Sequence, residues 1–377
     1  MSKAKKNLFE HSATKVALLE KYLTIYLNVL QRANFIDKIF LFDLFAGEGI
    51  YENGGKGSSI VMLESIKNHH FSNDKKSKPI SVVLNDIGKS EIEVDKLKIE
   101  RVKQLASKIF IPANCEVKYL QENYTDLIKK VAIRASNLKN SERCLIFIDP
   151  WGYKEIMPND LKLLLDNGKT EVILFLPIYF MSRFANKAAK TSDDDFPGGR
   201  ALRIFLEGLY GSLENVPQIS SQKHFIIEIQ DKLKEYLGMK YIDNFKIERD
   251  GNQWFAIFFF TSSEKGFHKM LEAKWSVDKH SGGEHKIGSN LVIDLFDEVY
   301  LSSYDNKVIA LLESNGVITN HDLFSFGLEN NFLPKHTIKV LKEINRTKPI
   351  EKIALDSKAA LGYYIEDKER TIQIKFK

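Results

Sequence analysis

Residues 41–51 read LFDLFAGEGIY. An apolar run ends at Asp43, and Gly47 and Gly49 follow two residues apart. A short run that is apolar throughout suits a strand covered on both faces, as in a parallel sheet. Glycines just past such a strand remove the side chains that would keep a ligand off the turn. The spacing is not the GxGxxG dinucleotide fingerprint. It is not a Walker A either, because GGKGSS at 54–59 lacks the glycine–lysine–hydroxyl order at the required distance. On these residues alone, a tight turn without a ligand stays open.

Outward from this stretch the chain alternates. Strand-type runs occupy 38–45 (KIFLFDLF), 80–86, 115–121, 144–150 and 170–177. Helical patterns lie between them at 58–69, 91–109, 124–136 and 157–168, the last with a proline near its start and a glycine at its end. Regular alternation of strand and helix predicts a doubly wound parallel α/β sheet. Ahead of it, residues 12–33 place Val16, Leu19, Tyr22, Leu23, Tyr26, Leu27 and Leu30 on one helical face, with Ser12 or Thr14 as cap. Residues 178–220 resist assignment and hold the acidic loop TSDDDFPGGR. A helix at 224–238 precedes two strands, 241–248 and 253–263, whose Asp250-Gly251 turn predicts an antiparallel hairpin. A helix at 264–275 and a glycine-rich link at 279–289 follow. From 304 onward, three helices and then a hairpin predict a winged-helix arrangement. The expected division is an N-terminal helical segment (1–37), a sheet domain (38–290) and a small C-terminal domain (300–377).

Composition narrows the class. The 377 residues are 44% hydrophobic and 28% charged, an ordinary globular balance. A net charge of +5 and a pI near 8.8 permit a nucleic-acid partner without demanding one. No apolar run approaches the roughly 18–20 residues of a membrane helix. The lysines of MSKAKKNLFEHS have no apolar stretch behind them, so no secretory signal is expected. Cys115 and Cys144 belong to no CxxC, which argues against a disulfide framework or a cysteine-bound zinc and makes a reducing cytoplasm the expected setting.

In open parallel sheets, ligands bind beyond the carboxyl ends of the strands. Asp86, at the second strand end, suits the two hydroxyls of a ribose, with Asn85 as a competitor and a solvated helix cap as the bland reading. The run FIDPWGY at 147–153 delivers Asp149 and Pro150, then Trp151 and Tyr153. The Asp149 carboxylate and the Pro150 carbonyl can both accept from one exocyclic amine and turn its lone pair toward an electrophile. Trp151 or Tyr153 can stack on a flat base, an interaction worth ~1–3 kcal/mol. A turn with a stacked core tryptophan is the alternative.

The loop DLFAGxG together with an Asp-Pro-aromatic strand end resembles class I S-adenosylmethionine-dependent methyltransferases that act on exocyclic amines of nucleic-acid bases. More narrowly, HSATKVALLEKYL (11–23), FDLFAGEGIYENGGKGSS (42–59), FIDPWGY and FLPKHTIKVLKEI (332–344) resemble the three-Cys-motif partner protein family, TcmP. The resemblance covers most of the chain and is weakest over 185–225. It implies a Rossmann-like methyltransferase sheet closed by an antiparallel strand pair, with S-adenosylmethionine as cofactor. It also implies a partner carrying a three-cysteine motif, which this chain lacks. By position it implies that Asp43, Phe45, Ala46, Gly47 and Gly49 form the cofactor loop, with the last four on methionine and ribose. Asp86 would hold the ribose and Asn123 would lie beside the adenine. Lys15, with His11, would cap the cofactor carboxylate. Asp149 and Pro150 would orient the acceptor amine, beside the stacking candidates Trp151 and Tyr153. Adenine-type enzymes usually carry Asp-Pro-Pro-aromatic, whereas Trp151-Gly152 stands here. Asp-Pro-aromatic-Gly also occurs in tRNA guanine-N2 methyltransferases, so the acceptor base stays open. A catalytically silent adaptor on the same fold is the alternative.

Other signals are weaker. Asp193, Asp194 and Asp195 read as a solvated loop, and HSGGEH at 280–285 has the wrong spacing for a zinc helix, so no metal is expected. Arg183 follows the fifth strand, where a substrate phosphate or a surface ion pair would suit it. Lys335, Lys339, Lys342, Arg346 and Lys348 form a basic run that suits a phosphate backbone or a solvated face.

Overall fold

The computed structural model describes residues 8–377 apart from 73, 75, 151, 194, 250–252, 280, 287–292 and 356–361; for 286 and 293–302 it describes the backbone. Trp151, Asp194 and the Asp250-Gly251 turn therefore lie outside the described residues.

Five parallel strands form the sheet: β1 (Lys38–Asp43), β2 (Ile80–Asn85), β3 (Cys115–Leu120), β4 (Glu142–Ile148) and β5 (Thr170–Leu176), in the order β3-β2-β1-β4-β5. Strand order reverses between β1 and β4. The next strand in space, β7 (Gln253–Thr261), runs antiparallel to β5 and to β6 (Tyr241–Arg249), which closes the sheet as the hairpin predicts. A short β8 (Glu284–Lys286) then pairs parallel to β6, inside what the sequence suggests is only a glycine-rich link. Every residue of β5 is buried, whereas the edge strand β3 turns Glu116 and Lys118 to solvent. Strands flanked on both sides must be apolar on both faces, and an edge strand need not be.

The helix α1 (Glu10–Arg32) buries Val16, Leu18, Leu19, Tyr22, Leu23, Tyr26, Leu27 and Leu30. Neither Ser12 nor Thr14 caps it. The helix begins earlier, after Phe9, and Thr14 Oγ1 donates back to the Glu10 carbonyl (3.1 Å). The crossover helices α2 (Ser58–Asn68), α4 (Tyr124–Ser136) and α5 (Pro158–Leu165) match expectation.

One crossover does not. The helix predicted over 91–109 is only α3 (Lys98–Ala106), because residues 88–97 form a loop. The buried carboxylate of Glu48 takes hydrogen bonds from Ser90 Oγ (2.7 Å) and the Glu91 amide (2.8 Å), while the Lys98 amide bonds the Gly88 carbonyl (2.9 Å). Backbone held by a side chain from another segment is withdrawn from the helix.

Residues 178–220 contain α6 (Ile178–Lys190) and α7 (Arg200–Tyr210), and α8 (Gln222–Leu237) follows. The loop between α6 and α7 is not simply solvated. Asp193 meets the buried Arg203 and lies 3.7 Å from Arg200, and Asp195 accepts from Ser192 Oγ (2.7 Å).

The chain divides into two compact units, Met1–Lys269 with Glu284–Gly288, and Met270–Gly283 with Ser289–Lys377. The second contains α10 (Ile293–Asn315), β9 (Ile318–Thr319), α11 (Asn320–Glu329), α12 (Pro334–Thr347), β10 (Ile350–Ala354) and β11 (Ile372–Phe376), after α9 (Glu264–Val277), whose C-terminal half it includes. Its antiparallel sheet runs β10-β11-β9. The predicted strand from 363 pairs only from Ile372. Asn320 is buried and its amide donates to the carbonyls of Tyr364 (2.8 Å) and Arg370 (3.0 Å), so the preceding residues are held as a loop.

Candidate functional site

Register places three carboxylates around one turn. Asp43 lies opposite Leu84 of β2 and Phe147 of β4. Asp86 and Asp149 each come two residues later, so they flank the start of the glycine turn from either side of the strand-order reversal.

Asp43 is fully buried. It accepts from the Phe45 amide (3.2 Å) and from Ser58 Oγ (2.7 Å), tying the turn to the start of α2. Burial raises its carboxyl to about 7, against the hydrogen bonds from Ser58 and Phe45 and with a further push from Asp149 and Asp86. The Ala46 amide donates to the Asn85 carbonyl (2.8 Å) and Ser59 Oγ to the Ala46 carbonyl (2.9 Å). Asp86 accepts from the amides of Gly47 (3.0 Å) and Gly88 (2.7 Å). It therefore joins the turn to the loop after β2.

Gly47 and Gly49 have φ of +65° and +76°, where a side chain is strained. A Cβ on Gly49 would also lie 3.0 Å from Leu105 and 3.2 Å from Val102. Gly49 is thus required by the backbone and by packing against α3, whereas the space beside Gly47 faces the Tyr51 hydroxyl at 3.5 Å.

Asn85 no longer competes with Asp86. Its two amide N–H groups go to the carbonyls of Leu44 (3.2 Å) and Glu122 (3.0 Å), and its oxygen accepts from the Glu122 amide (2.8 Å). Asn123 caps α4 through the Thr125 amide (2.9 Å), and next to it Phe45 stacks on Tyr124 at 5.3 Å.

On the other side of the reversal, Asp149 follows β4 and Pro150 is buried. Tyr153 packs against the hydrophobic core and is half-buried, and Trp151 is not among the described residues. The Lys15 ammonium meets Asp149 Oδ2 and lies 4.3 Å above the Phe175 ring. The sequence-based assignment of Lys15 to a cofactor carboxylate is thus met by a different partner. Phe175 begins a column of rings: it stacks on Phe255 (5.4 Å), Phe255 on His11 (4.6 Å), and His11 on Phe9 (5.3 Å). Antiparallel pairing brings Phe255 to this edge, because β7 starts where β5 ends. Burial, then the charges of Lys15 and Arg249, lower His11 to about 4, and its Nδ1 has no hydrogen-bond partner among the described residues.

Sequence reasoning missed Tyr51 and Glu48. Burial, then the charges of Asp149, Glu48, Asp86 and Asp43, push the Tyr51 hydroxyl well above its ordinary range. Both residues belong to the opening stretch, but nothing in it indicates where their side chains turn.

Arg183 is exposed on α6, near the Tyr179 hydroxyl (3.4 Å) and the Phe184 ring. In the second unit, Lys335, Lys339, Lys342 and Arg346 are exposed on α12, opposite the buried Thr337, Val340, Leu341 and Ile344. Lys348 instead pairs with Glu313. Among the described residues no group of three or more His, Cys, Asp and Glu could hold a metal, and no helix is long and apolar enough to cross a membrane.

No family model and no curated protein sequence matches the chain. Among solved structures it is similar to Trm1 from Pyrococcus horikoshii in complex with S-adenosyl-L-methionine, at 14% identity and a TM-score of 0.39, over 81% of this chain and 87% of that one. It is also similar to loganic acid methyltransferase with SAH, at 10% identity and a TM-score of 0.28, over 68% and 95%. The fold assignment stands on the chain's own strand order, with its single reversal and antiparallel closing pair.

Proposed function

We propose that this chain is an S-adenosylmethionine-dependent methyltransferase acting on an exocyclic amine of a nucleic-acid base. One observation carries the reading: a left-handed glycine turn with Asp86 on one side of the strand-order reversal, and Asp149-Pro150 on the other. The residues fit the cofactor. Each oxygen of Asp86 keeps a lone pair beyond its bond to Gly47 or Gly88, enough to take the ribose hydroxyls. Asn123 would lie beside the adenine.

When bound, the cofactor supplies a methyl group activated by its positive sulfur. Asp149 and the Pro150 carbonyl accept the two N–H bonds of the acceptor and turn its lone pair toward the turn. As nitrogen gives up electron density during transfer its N–H bonds polarise, and the same two acceptors hold them more strongly. No covalent intermediate on the protein is required.

The second unit is read as a winged-helix module. The order helix, strand, helix, helix, strand, strand and the three-stranded antiparallel sheet support that reading. Four exposed cations at i, i+4, i+7 and i+11 on α12 suit a phosphate backbone. A three-Cys-motif partner is what the sequence resemblance implies, and co-purification tests it.

The decisive experiment is calorimetry with S-adenosylmethionine, followed by methyl transfer to mixed-sequence RNA and DNA oligonucleotides. Binding should raise stability by about 2.7 kcal/mol at a hundredfold excess over Kd. Absence of binding at millimolar cofactor overturns the reading and favours the silent adaptor.

A further inference from the structure

Lys15 is held in a manner unlike a lysine that reaches for a mobile ligand. Its stem leaves α1 on the core-facing row that continues through Leu18, Leu19 and Tyr22, all buried. Its ammonium is covered on one side by the Phe175 ring and meets Asp149 Oδ2 on another. The side chain of Lys15 is 8% exposed and that of Asp149 is 19% exposed. The lysine therefore approaches from the interior, and the carboxylate keeps the open side. The ring column of Phe175, Phe255, His11 and Phe9 fixes the wall behind the pair.

We infer that Lys15 is a positioning residue for Asp149 rather than a cofactor ligand, and that the pair selects an uncharged amino group as acceptor. The inference rests on the methyltransferase reading above. With Oδ2 held from behind, Oδ1 is the oxygen left to face an acceptor, and the Pro150 carbonyl is the second acceptor the proposed function assigns. Two acceptors in fixed positions match the two N–H bonds of a planar NH2. The carboxylate charge is already balanced by Lys15, so a protonated alkylamine would meet a second cation in place of an unpaired anion. An amino group conjugated to a heteroaromatic ring is uncharged at neutral pH and carries no such penalty.

The test compares the wild type with Lys15→Met and Lys15→Arg. Calorimetry with S-adenosylmethionine should give Kd values within about threefold of each other, since Lys15 does not serve the cofactor. Methyl transfer from labelled cofactor to mixed RNA and DNA oligonucleotides should fall about a hundredfold in kcat for Lys15→Met, the scale of a misplaced acceptor, with KM within about threefold. Lys15→Arg should recover all but about tenfold. If Lys15→Met does not fold, Lys15→Gln retains a donor for Asp149 and should lose about tenfold. Wild-type transfer to polylysine should be absent.

Cofactor binding weakened tenfold or more in Lys15→Met, with the wild type binding normally, returns Lys15 to the cofactor and overturns the inference. So does transfer at the wild-type rate in Lys15→Met, and methylated polylysine overturns the selection of uncharged amines. A wild type that binds no cofactor, or methylates no oligonucleotide, overturns the methyltransferase reading itself, a different result from any of these.

Discussion

The two sides of the strand-order reversal are built by different means. On the β1–β2 side, turn, strand end and helix start hold one another through backbone amides: Gly47 and Gly88 on Asp86, Phe45 on Asp43, Ala46 on Asn85. On the β4–β5 side, Asp149 is held by a side chain 134 residues away, on a helix that precedes the whole sheet. The first side is a self-supporting backbone cradle. The second is an assembly of side chains whose geometry depends on where α1 packs. The comparison teaches that the two sides of one strand-order reversal can answer to different parts of the chain.

The largest expected effect tests the second side. Asp149→Ala strands the buried Lys15 ammonium and should cost about 3 kcal/mol in urea unfolding. Lys15→Met leaves a carboxylate with access to water and should cost about 1 kcal/mol. The double variant should be more stable than Asp149→Ala alone, and simple additivity would break the claim that the pair is coupled.

Next, the two sides should respond to pH with opposite sign. Asp43 is raised to about 7 by burial, so the folded chain holds that proton more tightly than the unfolded chain. Its contribution is full below the ordinary carboxylate range and is lost as pH rises toward 7. His11 is lowered to about 4, so its contribution is present above 6.5 and is lost as pH falls toward 4. The Asp43 swing is on the order of 4 kcal/mol and the His11 swing on the order of 3 kcal/mol, since one unit corresponds to about 1.4 kcal/mol. Asp43→Asn should flatten the loss on the rising side, and His11→Phe, which keeps the stack, the loss on the falling side. Glu171, raised to about 7 by burial at the start of β5, works with Asp43, so Asp43→Asn removes part of the trend. Stability profiles from pH 4 to 8 check both signs.

The smallest effects compare two glycines. Gly47→Ala forces a side chain to φ +65° and should cost about 1 kcal/mol. Gly152, beside Asp149-Pro150, has nothing within 4 Å of an added Cβ, so Gly152→Ala should lie within about 0.5 kcal/mol of the parent. Equal costs at the two positions would remove the distinction between a backbone-built side and a side-chain-built side.

Much of this was legible in the residues. The five parallel strands and the antiparallel pair follow from strand-type runs and turn chemistry, and Asp43, Asp86 and Asp149 stand at strand ends because the runs end there. Glu48 and Tyr51 were not legible as site residues, since the side-chain directions of a left-handed turn do not follow a strand or helix period. The loop at 88–97 read as helix because periodicity is local, while the Glu48 carboxylate that captures it comes from more than forty residues earlier. The strand β8 carried no signal, because three residues beside glycines pair only where β6 offers an edge.

The sequence by itself determined the alternation of strand and helix, the closing hairpin and the glycine turn, because periodicity, turn residues and the φ freedom of glycine act over a few residues. Only the tertiary structure decided that Lys15 serves Asp149, that Asn85 is spent on strand ends while Asp86 meets the turn, and that His11 lies in a ring column. Those outcomes depend on which helix covers which strand end, and burial and charge pairing act across that distance only once the chain has packed.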